Sequence, residues 1–508
     1  MSTAKKFAGQ TAIYGLTTII SRMIGFVMTP FYARVLPATA NGVFTVVYSY
    51  AAIINAVLAF GMETTFFRYL QKREDDKQIV YNNTFGAVIA MSVVFLTFAT
   101  LFFDELVRAM TAGVESDIVN YKFYFKCLLV ILIADAICVI PFAKLRADGR
   151  PMKYSVIKCL NIGIVVLCNV FFLFVIPRII AHQWIGADWF KDWYTPMWVG
   201  YAFLSNAIAS VFTVLLLLPE ILKITIRFDN KLFKEMFLYS WPVLIANISF
   251  IINETLDKAM LKQLLPPGIS DQQAGVYGMC AKIALFLSIF VQAFRLGAEP
   301  FFFSQAKNKN AGDTYSRIMT YFVIMISVIC VGLVANIDIL ATIIVDKEMI
   351  RNKAGVMVAN PYWAGLGVVP PLLFGYLSLG IYMNLSVWYK LSDQTKYGLY
   401  ISGIGAVLTV VLNYIFIPEY SYMASAYVSL LAYSTMMILS YIWGQKNYPI
   451  PYNVKTNLAY IVTSIILVIL SFYVFDRNIF VGNALLILFA GGTLWLEGKQ
   501  LKAIFLKR

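Results

Sequence analysis

Charge is scarce in this sequence, and histidine is almost absent. Only 13% of its 508 residues are Asp, Glu, Lys or Arg. Soluble domains carry about a quarter, so a mainly water-facing surface is excluded. His182 is the single histidine, which removes His-based zinc sites and Ser-His-Asp catalysis. The six cysteines (Cys127, Cys138, Cys159, Cys168, Cys280 and Cys330) all lie in apolar runs, and none forms a C-x-x-C pair. They read as small apolar core residues. There is no Walker A sequence and no H-E-x-x-H, and Gly403-x-Gly405 sits inside an apolar run rather than in a dinucleotide loop. No catalytic set, no metal site and no ATP-driven transport by this chain alone are expected. A cleavable signal is not evident either: the apolar stretch after Lys5 and Lys6 runs from Phe7 to about Ala33, too long for a signal core.

What is abundant is apolar side chain, 60% of the chain with a mean hydropathy of +0.74. That much apolar surface needs lipid as solvent. A spanning helix takes about 20 apolar residues. On that measure the expected spans are 8–33, 40–62, 80–103, 118–141, 154–176, 195–218, 234–255, 274–297, 318–345, 361–383, 397–417, 423–443, 457–475 and 479–496. The net charge of +14 falls between these runs, without the basic, aromatic-interleaved patch of a nucleic-acid binder. No nucleic acid partner is expected. Alternate loops hold 25 of the 41 Lys and Arg, including Lys144, Arg146, Arg150 and Lys153. The positive excess marks the cytoplasmic side, so both termini are expected there. The longest loop on the other side, about 177–194, carries Trp184, Trp189 and Trp193. It reads as an interfacial segment at the headgroups more readily than as a sugar platform.

The halves echo each other. Gly42-Val43-Phe44 opens the second span and Gly61-Met62-Glu63 closes it; Gly275-Val276-Tyr277 and Gly297-Ala298-Glu299 do the same in the eighth. Lys153-Tyr154, Asn169 and Pro177 are matched by Lys396-Tyr397, Asn413 and Pro418, again six spans on. An even offset makes the repeat parallel, with its pseudo-twofold along the membrane normal. The expected fold is therefore an all-α polytopic membrane protein of about fourteen transmembrane helices. It comprises two six-helix lobes, 1–226 and 227–447, plus an added pair and tail, 448–508.

Charge within a span is costly, so each case is a candidate for function. Arg22 lies about 22 Å into the first span at 1.5 Å per residue, facing either an anionic ligand in a cleft or a structural ion pair. Lys282 and Arg295 share a face of the eighth span, as headgroup ligands or, for Arg295, as a snorkelling side chain. Lys122, Lys126 and Lys158 read as interfacial or snorkelling. Asp135 is expected either to pair with a base or to bind a coupling proton or sodium ion. Glu63 and Glu299 hold matching repeat positions, suggesting a structural or gating job such as pairing with Arg68 or capping. Glu254, Asp257 and Lys258 form either a gate or a solvated helix end.

Three features resemble one family. They are Ser21-Arg22-x-x-Gly25-Phe26, then Gly61-x-Glu63-x-x-Phe66-x-Arg68-Tyr69, then the link Lys144-Leu-Arg-Ala-Asp-Gly-Arg150 before a new span. The resemblance is to the oligosaccharide flippases of the multidrug/oligosaccharidyl-lipid/polysaccharide exporter superfamily, and it covers the whole chain. It implies a non-enzymatic flippase of a bacterial cytoplasmic membrane. Its cargo would be a polyprenyl-pyrophosphate-linked oligosaccharide, a surface or capsular repeat unit rather than lipid II. Arg22, Lys282 and Arg295 would face the pyrophosphate. Membrane lipids and glycan-assembly proteins would be the partners, with no cofactor beyond a coupling H+ or Na+. A cation-coupled multidrug exporter of the same superfamily and a membrane glycan polymerase or ligase are the competing readings.

Overall fold

The computed structural model describes residues 26, 28–73, 76–112, 117–225, 227–305, 310–351, 357–392 and 394–505. Its principal helices are α1 (Ala38–Ala59), α2 (Met62–Lys72), α3 (Lys77–Leu101), α4 (Ile118–Ala147), α5 (Pro151–Val170), α6 (Gly200–Ile221) and α7 (Asn230–Leu264). They continue with α8 (Ser270–Gln305), α9 (Ala311–Ala335), α10 (Val369–Leu385), α11 (Lys396–Asn447), α12 (Val454–Ile469) and α13 (Ile479–Phe505). Twelve helical stretches among the described residues are long and apolar enough to cross a membrane, and α11 is two arms joined at Ser421 (φ 52°, ψ −139°), so thirteen spans are described. The chain is a multi-pass, all-α membrane protein. The expected first span, with Arg22, lies almost wholly outside the described residues; 28–35 are helical.

Two features differ from the sequence reading. The span expected at 318–345 stops at Ala335, and a separate helix, Ile337–Val345, follows. Asn336 makes the break: its amide donates to the Gly332 carbonyl (3.0 Å) and exchanges bonds with Asn483 (3.1 and 3.2 Å). Such local amide bonds compete with helix continuation. A short antiparallel hairpin, Met349–Arg351 with Met357–Ala359, was not expected at all.

By compactness the described chain divides inside α8, after Gly275. In the first unit α4, α5 and α6 pack together and α7 packs along α1. In the second, α10 lies on α11, and α12 and α13 pack on α9.

The repeated residues have physical jobs. Gly42 and Gly275 are where α1 and α8 cross. A Cβ on Gly42 would lie 1.7 Å from the Asp271 carbonyl oxygen, and one on Gly275 2.0 Å from that of Ala38. Only hydrogen lets the backbones approach so closely. Asn169 and Asn413 are both fully buried. Each turns its amide back on the carbonyl four residues earlier, Val165 at 2.7 Å and Thr409 at 2.8 Å. Between α1 and α2, Phe60 (φ 47°) and Gly61 (φ 66°) take left-handed conformations. The break lets Thr65 of α2 meet Ser240 of α7, hydroxyl to hydroxyl at 2.6 Å.

The α6–α7 connection is strapped to α3. Gln78 donates to the Lys223 carbonyl (2.7 Å), and Asn82 to Thr225 Oγ1 (2.7 Å) and the Arg227 carbonyl (2.9 Å). Asn83 exchanges two bonds with the Asp229 backbone (2.9 and 3.2 Å). Asp229 then caps α7, accepting from the Lys231 and Leu232 amides.

Candidate functional site: a polar cavity in the first unit

The first unit holds a half-open cavity of about 530 Å³. Its wall comes from polar faces on otherwise apolar helices. On α5 these are Tyr154, Lys158 and Asn161; on α6, Asn206, Ser210 and Thr213; on α4, Asp135 and Arg146. Within each helix the spacings are those of a single face. Tyr48 and Asn55 of α1 and Glu63 of α2 complete the polar lining.

The charges fall into two groups. At the end nearer the Lys- and Arg-rich loops, the Arg146 guanidinium meets the Glu63 carboxylate. The same guanidinium lies 5.0 Å from the Phe67 ring centroid and 5.9 Å from that of Tyr154, a cation–π environment. Its Nε is buried without a hydrogen-bond partner among the described residues. Deeper, Asp135 accepts a hydrogen bond from Ser210 (2.9 Å). Lys158 stands over the Phe142 ring at 4.3 Å. It interacts electrostatically with Asp135, Glu63 and Arg146. No carboxylate among the described residues lies within ion-pair distance of it. Amides and hydroxyls fill the space between: Asn161 donates to Thr213 Oγ1 (2.9 Å), and the Tyr48 hydroxyl is buried with no hydrogen-bond partner among the described residues. Two carboxylates and two cations leave the described lining balanced in charge, with donors and acceptors distributed around it.

Of the sequence candidates, Asp135 and Glu63 are in this wall. Glu63 does not pair with Arg68 as expected, because α2 turns Arg68 onto the Tyr239 ring (4.0 Å). Lys158, read as snorkelling, instead lines the cavity. Lys282 and Arg295 belong to the second unit. There Arg295 borders a water-sized recess of about 10 Å³ with Asn384 and Lys390, its Nε buried with no hydrogen-bond partner among the described residues. Lys282 is half-buried on α8. The Glu254–Lys258 turn is not a solvated helix end: Asp257 is buried and paired with Lys258 (3.0 Å), whose ammonium also donates to the Glu254 carbonyl (2.9 Å). Lys122 is tied to Asp104 (2.7 Å). Arg22 and the Glu299 side chain lie outside the described residues.

The Glu63–Arg146 pair is 45% and 30% exposed. A double-mutant cycle with Glu63→Gln and Arg146→Gln, read by thermal unfolding in detergent, is expected to give a coupling of about 1 kcal/mol. Additive effects of the two changes would mean the pair is not made.

Long apolar helices around a polar cavity define a polytopic, all-α membrane protein with a polar site in its first unit. The family model described as polysaccharide biosynthesis protein matches residues 7–303, and the chain belongs to that family. Among solved structures it is similar to the lipid II flippase MurJ in an inward closed conformation. The TM-score is 0.72 at 12% identity, over 96% of this chain and 100% of that one. It is also similar to an inward-facing multidrug resistance MATE family transporter of the MOP superfamily, with a TM-score of 0.64 at 14% identity, over 84% and 94% of the two chains. No curated protein is matched by sequence.

Proposed function

We propose that this protein is a flippase. It carries a polyprenyl-pyrophosphate-linked oligosaccharide, the repeat unit of a surface polysaccharide, outward across a bacterial cytoplasmic membrane by alternating access. The observation that carries the reading is the cavity of the first unit, where amides, hydroxyls and a Lys158 ammonium with no carboxylate at ion-pair distance among the described residues stand on one face each of α4, α5 and α6. Sugar hydroxyls take such donors and acceptors, and anionic groups take the ammonium through charge-assisted hydrogen bonds. Membership of a polysaccharide biosynthesis family supports the same cargo. The basic loops support cytoplasmic termini.

Arg22, Lys282 and Arg295 remain the proposed pyrophosphate ligands, and Asp135 the proposed H+ or Na+ coupling site. Glycosyltransferases would supply the cargo and a polymerase would consume it. The test is Arg22→Ala in cells: surface glycan is expected to disappear while the protein stays in the membrane. Unchanged export would remove Arg22 from the mechanism. A cation-coupled multidrug exporter is the second reading, favoured by the two cavity carboxylates. Vesicles containing the purified protein separate the two, because only the exporter would move organic cations and leave a labelled lipid-linked oligosaccharide in place.

A further inference from the structure

A second charged cluster lies outside the cavity, on the Lys- and Arg-rich side of the first unit. Glu220, in the last turn of α6, is only 1% exposed, yet three cations converge on it: Arg150 at 3.3 Å, Lys153 at 2.9 Å and Lys223 from the next turn. These cations are 51%, 37% and 43% exposed, so their outer faces meet the surroundings. Lys144 adds a fourth, standing over the Tyr81 ring at 4.1 Å and interacting with Lys223, Arg150, Glu220 and Asp148. Four cations against the two carboxylates leave two positive charges in excess.

The cluster is held in place from several sides. Tyr81 donates to the Glu220 carbonyl (2.8 Å), Arg150 directly precedes α5, and Lys223 opens the segment strapped to α3. An ammonium has three donors and a guanidinium five. Lys153, Lys223 and Arg150 each place one on Glu220, and their other side-chain N–H groups make no bond among the described residues. Glu220 therefore acts as a buried peg that gathers cations without neutralising them. Apolar side chains adjoin them in the chain: Met152 is 66% exposed, Val156 48% and Leu222 70%.

We propose that this cluster docks the phosphate of an anionic bilayer phospholipid, with its acyl chains along Met152, Val156 and Leu222. A soluble phosphate would use the cations alone. A phospholipid uses the cations and the apolar flank together, and cationic pockets at helix ends on the cytoplasmic side suit such headgroups.

The test is thermal unfolding of the purified full chain in neutral detergent, titrated with phosphatidylglycerol, phosphatidylcholine, soluble glycerol phosphate or a polyprenyl pyrophosphate. Phosphatidylglycerol is expected to raise Tm, less so in high salt, while phosphatidylcholine and glycerol phosphate leave it unchanged. Arg150→Gln with Lys223→Gln keeps Lys153 on Glu220 and is expected to need roughly tenfold more phosphatidylglycerol for the same shift. Lys223→Gln alone, which leaves two cations on Glu220, serves if the double variant does not fold and should need roughly threefold more. An undiminished response in these variants, or an equal response to phosphatidylcholine, overturns the site. Reproduction by glycerol phosphate would make it a soluble-anion site, and preferential stabilisation by polyprenyl pyrophosphate a cargo site; either also overturns the proposal.

Discussion

For the proposed flippase, Lys158→Met is expected to lower glycan export by about 10- to 100-fold, the loss of one hydrogen bond from a charged donor, with the protein still folded and in the membrane. Methionine keeps the length and the apolar contact with Phe142 while removing the ammonium. Lys158 is the cavity cation without a carboxylate at ion-pair distance among the described residues, whereas Arg146 is already committed to Glu63. An anionic group on the cargo would therefore meet Lys158 at the smaller cost. Lys158→Arg should retain part of the activity, because charge survives but the fork needs more room. Export is measured as surface glycan per membrane-inserted protein. Wild-type export by Lys158→Met would remove this residue from cargo recognition.

Gly42→Ala is expected to destabilise the protein by about 3 kcal/mol or more and to cut the yield of folded protein sharply. The new methyl would sit 1.7 Å from a backbone carbonyl oxygen of α8, and a backbone cannot swing aside as a side chain can. Gly275→Ala should behave alike. Gly163→Ala is the control, because a Cβ there meets nothing within 4 Å. Thermal unfolding in detergent checks all three. A Gly42→Ala protein that unfolds at the wild-type temperature would show that α1 and α8 do not cross at these glycines.

The spans were legible because apolar run length is a one-dimensional property, set by membrane thickness. The paired arms of α11 were separable for the same reason, their run being interrupted between 417 and 423. The cavity was less legible, although its signal was present. Tyr154, Lys158 and Asn161 keep helical spacing, as do Asn206, Ser210 and Thr213, and each set is a polar stripe on an apolar helix. Depth from the helix end does not settle where Lys158 points, because a long side chain near an end reaches inward as readily as outward. The Glu63–Arg146 pair could not be read at all. Arg68 is the nearer cation in sequence, and only the packing of α2 on α7 turns it away. The glycine echo was visible as a repeat, but its cause, two backbones in contact, is a property of tertiary structure.

The amide strap between α3 and the α6–α7 connection makes that stretch a splice rather than a tether. Six side-chain bonds from Gln78, Asn82 and Asn83 fasten Lys223, Thr225, Arg227 and Asp229 to α3. A spectroscopic label at Phe228, which is 52% exposed, would therefore report a joint displacement of α3 and the start of α7. Residues inserted there would break the splice before they lengthened the reach.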